Sequence, residues 1–215
     1  MSGVRVKICG LNSEAAFDTA VAAGADWVGF VFFPPSPRFV TPARAAALSA
    51  RVPGGPPRVG LFVAPTEAAV AEVLASVKLD ILQLYGTVDP AALRARFGRT
   101  LWRVVGISAA VDLPRDMGGA DALLLDAKPP RAATRPGGNA LAFDWEIMRG
   151  WTAPGPWLLA GGLTVENVAE AVRVTGATAV DVSSGVERAP GVKDPELIRG
   201  FVAQVKCINA SSSAN

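Results

Sequence analysis

The stretch WLLAGGLTVENVAEAVRVTGATAVDVSSG, residues 157–185, decides the fold class. It predicts an apolar strand, a turn with two glycines, a helix and a second apolar strand. Strands joined through a helix are typical of a βαβ unit, in which the two strands run parallel. Apolar residues follow one another along both strands without alternation, which is expected when both faces of a sheet are covered.

The same order of strand and helix continues through the chain of 215 residues. About eight helices are predicted, including weak or short ones at 112–117 and 143–149, and the last helix ends near residue 208. The eight predicted strands cover residues 4–9, 27–33, 59–63, 81–85, 101–107, 122–125, 157–160 and 179–182.

Eight strand–helix units predict an α/β protein, a single-domain (β/α)8 TIM barrel over residues 1–210. Residues 211–215 form a polar tail that we expect to be frayed. The alternative architecture is an open, doubly wound sheet. The barrel is favoured because no G-x-G-x-x-G motif follows the first strand and no Walker loop occurs.

The composition excludes several classes of function. The chain has no histidine, which rules out Ser-His-Asp and Cys-His catalysis and imidazole-bound zinc. Its two cysteines fit a reducing compartment, so we expect a cytoplasmic protein. A net charge of +2 without a basic block argues against nucleic acid, and no apolar run predicts a membrane span. The five tryptophans are expected to pack in the core, and a small anionic ligand remains compatible.

Six of the predicted strands end in residues that packing alone does not explain. The carboxyl ends of barrel strands meet on one face, where TIM-barrel enzymes place their chemistry. We therefore expect one site to contain residues 7–10, 34–38, 83–86, 125–127, 160–163 and 181–185.

Cys9 and Asp126 are the candidates for proton transfer at this face. A free cysteine is often only a small buried hydrophobe, and a thiol needs a nearby positive charge to act as a base. Asp126 follows four apolar residues. It either caps the next segment or acts as a general acid whose pKa is raised by partial burial.

Lys7 shares the side-chain direction of Cys9 along the first strand. A lysine inside a barrel needs a partner, and Asp181 on the last strand, the neighbour of the first in a closed barrel, is the candidate. We interpret this pair as structural or supporting.

Two further sets of residues suggest anion binding. Arg38 lies in a proline-stiffened loop, where it is either solvated or a fixed guanidinium that holds a carboxylate. The other set follows strands seven and eight, where barrels often bind phosphate through backbone N–H groups. Its members are simple turn residues or a phosphate cradle: Gly161, Gly162, Ser183, Ser184 and Gly185.

Several motifs together are highly specific and occur in order over nearly the whole chain. They are KICGL at 7–11, FPPSPR at 33–38, QLYG at 83–86, LLLD at 123–126, FDW at 143–145, LAGGL at 159–163, DVSSGVE at 181–187 and PGVKD at 190–194. In these motifs the chain resembles the phosphoribosylanthranilate isomerase family.

The resemblance implies a (β/α)8 barrel and a cofactor-free Amadori rearrangement in tryptophan biosynthesis. The substrate would be N-(5-phosphoribosyl)anthranilate and the product 1-(o-carboxyphenylamino)-1-deoxyribulose 5-phosphate. The implied roles are general base for Cys9, general acid for Asp126 and carboxylate clamp for Arg38. The glycines and serines after strands seven and eight would hold the phosphate, and no metal is expected.

The chain departs from the family pattern at three places. Tyr85 stands where the family usually has histidine, and a phenol is a poor proton shuttle at neutral pH. Residues 137–140 are GGNA where the family often has GGTG, and Asn12 replaces a usual threonine. None of these changes removes the implied base, acid or clamp.

Two other functions stay open at this level. One is the related isomerase of the histidine pathway, a family characterised by a pair of aspartates and two phosphate sites. Cys9 at the end of the first strand argues against that family. The other is an inactive barrel retained as a binding partner. For the isomerase we expect a small-molecule partner and a monomer, with a homodimer as the alternative.

Overall fold

Eight parallel strands close into a barrel in the computed structural model, which describes residues 3–129, 137 and 142–212. The strands are β1 Arg5–Cys9, β2 Trp27–Val31, β3 Arg58–Val63, β4 Ile81–Tyr85, β5 Thr100–Ile107, β6 Ala122–Ala127, β7 Trp157–Leu159 and β8 Ala179–Val182. Each strand pairs with its neighbour in sequence, and β8 pairs with β1 in the register Lys7 to Asp181. The predicted barrel is confirmed, and the open sheet is excluded.

Within the described residues, six α-helices cover the outside of the barrel. They are α1 Glu14–Ala23, α2 Pro42–Ser49, α3 Glu67–Ser76, α4 Pro90–Phe97, α5 Val168–Thr175 and α6 Pro195–Ser212. Side chains of Ser13, Thr41, Thr66 and Asp89 accept hydrogen bonds from the first backbone N–H groups of α1 to α4. None of these helices is both long and apolar enough to cross a bilayer.

Several predicted boundaries are wrong for local reasons. The predicted helices at 112–117 and 143–149 are 3₁₀ turns over Ala110–Asp112 and Trp145–Met148. After the first of them, Pro114 disfavours a helical conformation at the residue before it. Strand β2 ends at Val31 rather than at residue 33, and Phe32 and Phe33 lead from it into the turn at Pro34 and Pro35.

The end of the chain also differs from the prediction. Helix α6 continues to Ser212, so residues 211 and 212 extend the helix rather than starting a tail. Residues 213–215 lie outside the described part, and the prediction that they fray stays a prediction. A short antiparallel hairpin, β9 Glu187–Ala189 and β10 Val192–Lys193, follows β8 and was not predicted.

The barrel interior is apolar over much of its depth. Side chains from strands β2 to β8, and one that directly follows β7, form this inner core: Trp27, Val59, Ile81, Trp102, Ala122, Leu124, Leu158, Ala160 and Ala179. A larger core lies between the strands and the outer helices. This packing fixes the strands, and the residues at their carboxyl ends are thereby placed around one opening.

Candidate active site

A pocket opens at the carboxyl ends of the strands, with a volume of about 770 Å³ counted with its mouth. Most of the predicted site residues line it: Cys9, Arg38, Tyr85, Asp126, Gly161, Gly162, Asp181, Ser183 and Ser184. Lys7 is fully buried and Gly185 packs on the loop after β7, so these two support the pocket without lining it. Nine of the eleven named candidate residues therefore line one pocket, and the other two pack against residues that line it.

Cys9 and Lys7 lie side by side on the inner face of β1. A Cβ atom on Gly29 of β2 would be 3.2 Å from both Cys9 Sγ and Lys7 Cε, so glycine leaves room for the two side chains. The Lys7 ammonium donates a hydrogen bond to Asp181 Oδ1 at 2.8 Å, the ion pair that the sequence predicts. The thiol thus has the positive charge nearby that a base of this type requires.

The charges around Cys9 act in opposite directions. Burial raises the pKa of the Cys9 thiol, whereas the Lys7 ammonium lowers it, and the net direction is upward. Burial alone would lower the pKa of Lys7, but Asp181 and Cys9 outweigh it, so the pKa of Lys7 is raised. Lys7 therefore stays charged, and Cys9 rests as a thiol that another cation could ionise.

Asp126 ends β6 inside the pocket and accepts a hydrogen bond from the Tyr85 hydroxyl at 2.8 Å. Burial raises the pKa of Asp126 from 3.8 to about 6, although the Tyr85 hydrogen bond lowers it. Burial and the Asp126 charge raise the pKa of Tyr85 well above 10, so the phenol remains a hydrogen-bond donor. A carboxyl group with a pKa near 6 keeps part of its protons near neutral pH, as a general acid must.

Arg38 is buried rather than solvated, and its guanidinium is held by Glu187. Arg38 Nε donates to Glu187 Oε1 at 2.7 Å, and Nη2 donates to Oε2 at 2.8 Å. Burial alone would raise the pKa of Glu187, but Arg38 and Lys193 outweigh it and lower the pKa. The guanidinium is thus a fixed cation in the pocket wall.

Glu187 and Lys193 were not predicted as site residues. The Lys193 ammonium is fully buried and lies 2.7 Å from Glu187 Oε1. Burial lowers the pKa of Lys193 to about 8, against the opposing effect of Glu187. The Pro190–Gly191 pair between them could have signalled a turn, but not the side chain that the hairpin would meet.

The loops after β7 and β8 pack closely on the strands around them. Gly161 has a φ of +86°, and a Cβ there would lie 2.5 Å from the Ala127 nitrogen. At Gly185 a Cβ would overlap the carbonyl of Leu163 in the loop after β7. Asn167 was missed by sequence reasoning; its amide donates to the Gly162 carbonyl at 2.9 Å and fixes that loop. Backbone of this kind can approach an anion closely.

No group of three or more acidic, cysteine or histidine side chains suited to a metal ion occurs in the described ranges. The pocket offers instead a buried acid, a buried thiol and fixed cations. Of the loop at 137–140, Gly137 lines the pocket and the other three residues lie outside the described part. A Cβ at Gly137 would be 2.6 Å from both Asp126 Oδ2 and the Tyr85 hydroxyl.

Comparison with known proteins agrees with this geometry. The family model for N-(5'-phosphoribosyl)anthranilate (PRA) isomerase matches residues 6–204. The N-(5'-phosphoribosyl)anthranilate isomerase of Acidiphilium cryptum is 59% identical over 93% of this chain and 97% of its own. That of Paracoccus denitrificans is 56% identical over 94% of this chain and 96% of its own.

Solved structures give the same result. Phosphoribosyl anthranilate isomerase from Thermotoga maritima superposes with a TM-score of 0.83 at 36% identity, covering 95% of this chain and 99% of that one. A phosphoribosyl anthranilate isomerase in complex with reduced 1-(o-carboxyphenylamino)-1-deoxyribulose 5-phosphate superposes with a TM-score of 0.80 at 35% identity, with the same coverage of both chains. The chain belongs to the N-(5'-phosphoribosyl)anthranilate isomerase family, enzymes of tryptophan biosynthesis.

Proposed function

We propose that this isomerase converts N-(5-phosphoribosyl)anthranilate to 1-(o-carboxyphenylamino)-1-deoxyribulose 5-phosphate, with Asp126 as general acid and Cys9 as general base. The observation that carries the proposal is the buried Asp126, whose pKa of about 6 lets it hold a proton in the pocket that Cys9 also lines. Both groups belong to strand ends, which fix their positions before substrate binds.

In the first step Asp126 gives its proton to the furanose ring oxygen. The bond between that oxygen and C1 breaks, and the nitrogen lone pair forms a C1–N iminium. Asp126 is left as a carboxylate, which the Tyr85 hydroxyl stabilises by its hydrogen bond.

In the second step Cys9 acts as the thiolate, having released its own proton to solvent when the cationic intermediate forms, and takes the proton from C2. The electrons of that C–H bond form the C1–C2 double bond, and the iminium nitrogen becomes neutral. The resulting enolamine tautomerises to the ketone when C1 gains a proton and the C2 hydroxyl loses one. The iminium acidifies the C2 proton and, together with Lys7, favours the Cys9 thiolate in the complex.

The two anionic ends of the substrate match two parts of the pocket. Arg38 would bind the anthranilate carboxylate, because Arg38 lines the pocket and its guanidinium is fixed by Glu187. The phosphate would be bound by backbone N–H groups and hydroxyls of the loops at 161–163 and 183–185. A solved family member in complex with the reduced product supports a substrate of this class.

The test uses the intrinsic fluorescence of phosphoribosylanthranilate, generated in place and followed as it decays. Wild type should accelerate the decay, and Cys9→Ala and Asp126→Asn should not exceed background. Cys207→Ala and Asp116→Asn are matched controls, because both side chains are exposed and neither residue lines the pocket. No acceleration by folded wild type would contradict the proposed reaction.

We also propose that the enzyme acts in the cytoplasm as a monomer built from one domain, residues 1–210. A Thermotoga maritima relative is described as dimeric, so a homodimer is the alternative. Light scattering during gel filtration distinguishes a mass near 22.2 kDa from twice that value.

A further inference from the structure

The Glu187 carboxylate is the centre of a buried cluster of charges beside the pocket. It accepts four hydrogen bonds, two from Arg38, one from Lys193 at 2.7 Å and one from the Gly191 nitrogen at 3.2 Å. The side chains of Arg38 and Glu187 are each 4% exposed, and that of Lys193 is fully buried. Two cations and one anion are therefore held out of water at one point.

Lys193 connects this cluster to the loop after β8. Its ammonium donates to the Ser183 carbonyl oxygen at 2.9 Å and lies 3.2 Å from the Ser183 hydroxyl. That hydroxyl in turn donates to the backbone carbonyl of Cys9 at 3.2 Å. A continuous path of polar contacts thus runs from the proposed carboxylate clamp to the proposed phosphate loop and on to the β1 strand end.

Stability alone does not explain such a cluster. The cost of removing charges from water often equals their mutual attraction, so apolar residues of similar volume are commonly as stable. What the cluster supplies is orientation: arginine has a flexible side chain, and a bidentate carboxylate restricts it to one plane before substrate arrives. The cluster also leaves a net positive charge next to a pocket that receives an anion.

We propose that Glu187 and Lys193 are positioning residues of the isomerase: Glu187 holds the Arg38 guanidinium in its carboxylate-binding orientation, and Lys193 fixes that assembly to Ser183. The carboxylate and phosphate ends of the substrate are then held at one separation, with the reacting carbons between them. This inference rests on the proposed function, because it assigns the two ends of that substrate to Arg38 and to the loop of Ser183.

The hairpin also fits the loop that carries Arg38. Gly191 at its turn packs against the carbonyl of Pro37, and a side chain there would overlap it. The Gly191 carbonyl accepts a hydrogen bond from the Asn12 amide at 2.8 Å, which joins the hairpin to the loop after β1. The hairpin therefore contacts the loops after β1 and β2 as well as its own β8 loop.

The test measures binding by calorimetry with two probes, inorganic phosphate and reduced 1-(o-carboxyphenylamino)-1-deoxyribulose 5-phosphate. Glu187→Gln should lower the affinity for the carboxylate-bearing probe by roughly ten- to a hundredfold and leave the affinity for phosphate unchanged. Lys193→Met should lower the affinity for both probes. Glu170→Gln, at an exposed ion pair of α5, is the matched control and should change neither.

A double-mutant cycle with Arg38→Ala separates positioning from general destabilisation. Glu187→Gln should cost nothing further for the carboxylate-bearing probe once Arg38 is absent. In turnover, Glu187→Gln should raise KM more than it lowers kcat, and Glu187→Asp should recover part of the loss. Glu187→Asp also keeps the test usable if Glu187→Gln does not fold.

Two results would overturn the inference. One is an equal loss of affinity for both probes in Glu187→Gln; the other is that Glu187→Gln lowers the affinity for the carboxylate-bearing probe as much in the Arg38→Ala background as in wild type. The failure of the proposed reaction looks different, since wild type would then bind the carboxylate-bearing probe no better than phosphate and would not accelerate the fluorescence decay.

Discussion

The two ends of the barrel interior are built from the same strands but from opposite kinds of residue. At the amino-terminal end, the rings of Trp27 and Trp102 pack edge to face with centroids 5.3 Å apart. The Arg5 guanidinium covers the Trp27 ring at 4.6 Å. At the carboxyl end, Lys7, Cys9 and Asp126 replace hydrocarbon with buried ionisable groups.

The difference shows how the fold divides stability from chemistry. Aromatic and aliphatic burial at one end lowers the free energy of the folded state. At the other end, a carboxyl whose pKa rises from 3.8 to about 6 on folding costs the folded state about 3 kcal/mol when it is ionised. The carboxyl end is thus a less stable region supported by the apolar end.

The largest expected effects follow from Asp126→Asn. The fluorescence assay should show a loss of activity of at least about 10²- to 10⁴-fold, the usual contribution of a general acid, down to the background decay. Stability at pH 7 should rise, by up to about 3 kcal/mol in urea unfolding, because the buried carboxylate is gone.

The pH dependence of the unfolding free energy shows whether Asp126 stabilises or destabilises the folded state. Between pH 4 and about 6 Asp126 binds more protons in the folded than in the unfolded chain, so its contribution to stability falls as pH rises through this window and stays lower above it. Asp126→Asn should lack that fall, whereas the exposed Asp116→Asn should keep it. A destabilised Asp126→Asn with wild-type activity would contradict the division between the two ends.

Trp102→Ala should have the converse effect. Removing a buried indole that packs on Trp27 should cost about 3–5 kcal/mol of unfolding free energy. At a temperature where the variant is fully folded, kcat/KM should stay within about threefold of wild type, because the change lies below the pocket. Urea unfolding and the fluorescence assay on the same sample measure both; a large loss of activity in the folded variant would show that the ends are coupled.

Tyr85→Phe tests the hydrogen bond that limits the rise in the pKa of Asp126 at the carboxyl end. The lost hydroxyl no longer stabilises ionised Asp126, so the pKa of Asp126 should rise further above its ordinary value. Stability should fall by about 1.5–3 kcal/mol at pH 8, where the bond is to a charged group, and by less at pH 5. Equal losses at the two pH values would mean that the hydroxyl does not act on the carboxylate.

Gln83→Met gives the smallest effect, with a sign that is easy to check. Gln83 is fully buried on β4, and within the described residues neither of its side-chain polar atoms has a hydrogen-bond partner. An apolar side chain of similar volume removes that cost, so the free energy of unfolding should rise by about 1 kcal/mol. Thermal unfolding measures it, and a lower Tm would show that the amide is satisfied in solution.

Much of the fold could be predicted because its determinants are local. Apolar runs bounded by glycine and proline predicted the strands, all eight of which the structure contains. The Lys7–Asp181 ion pair was also predictable, because β1 and β8 are neighbours in any closed barrel and the direction of a strand side chain follows from its position.

The unpredicted part of the site depends on contacts between distant loops. Glu187 meets Arg38 across 149 positions of sequence, through a hairpin whose direction no local pattern specifies. Tyr85 also meets a residue that is distant in sequence. Its residue type predicted only a poor proton shuttle, and the structure shows that its hydroxyl donates a hydrogen bond to Asp126. The 3₁₀ turn over Trp145–Met148 begins as a longer helix would, with an aspartate cap, because the Asp144 side chain accepts a hydrogen bond from the Glu146 nitrogen.

The most direct test of the division between the two ends is the pKa of Asp126 in the free enzyme. Carbon-13 labelling of aspartate carboxyls, with Asp126 assigned by the signal missing from Asp126→Asn, gives it by NMR titration. The structure predicts a midpoint near pH 6. A midpoint at or below about pH 4, the value of an exposed aspartate, would contradict the claim that burial at the carboxyl end prepares this residue as an acid.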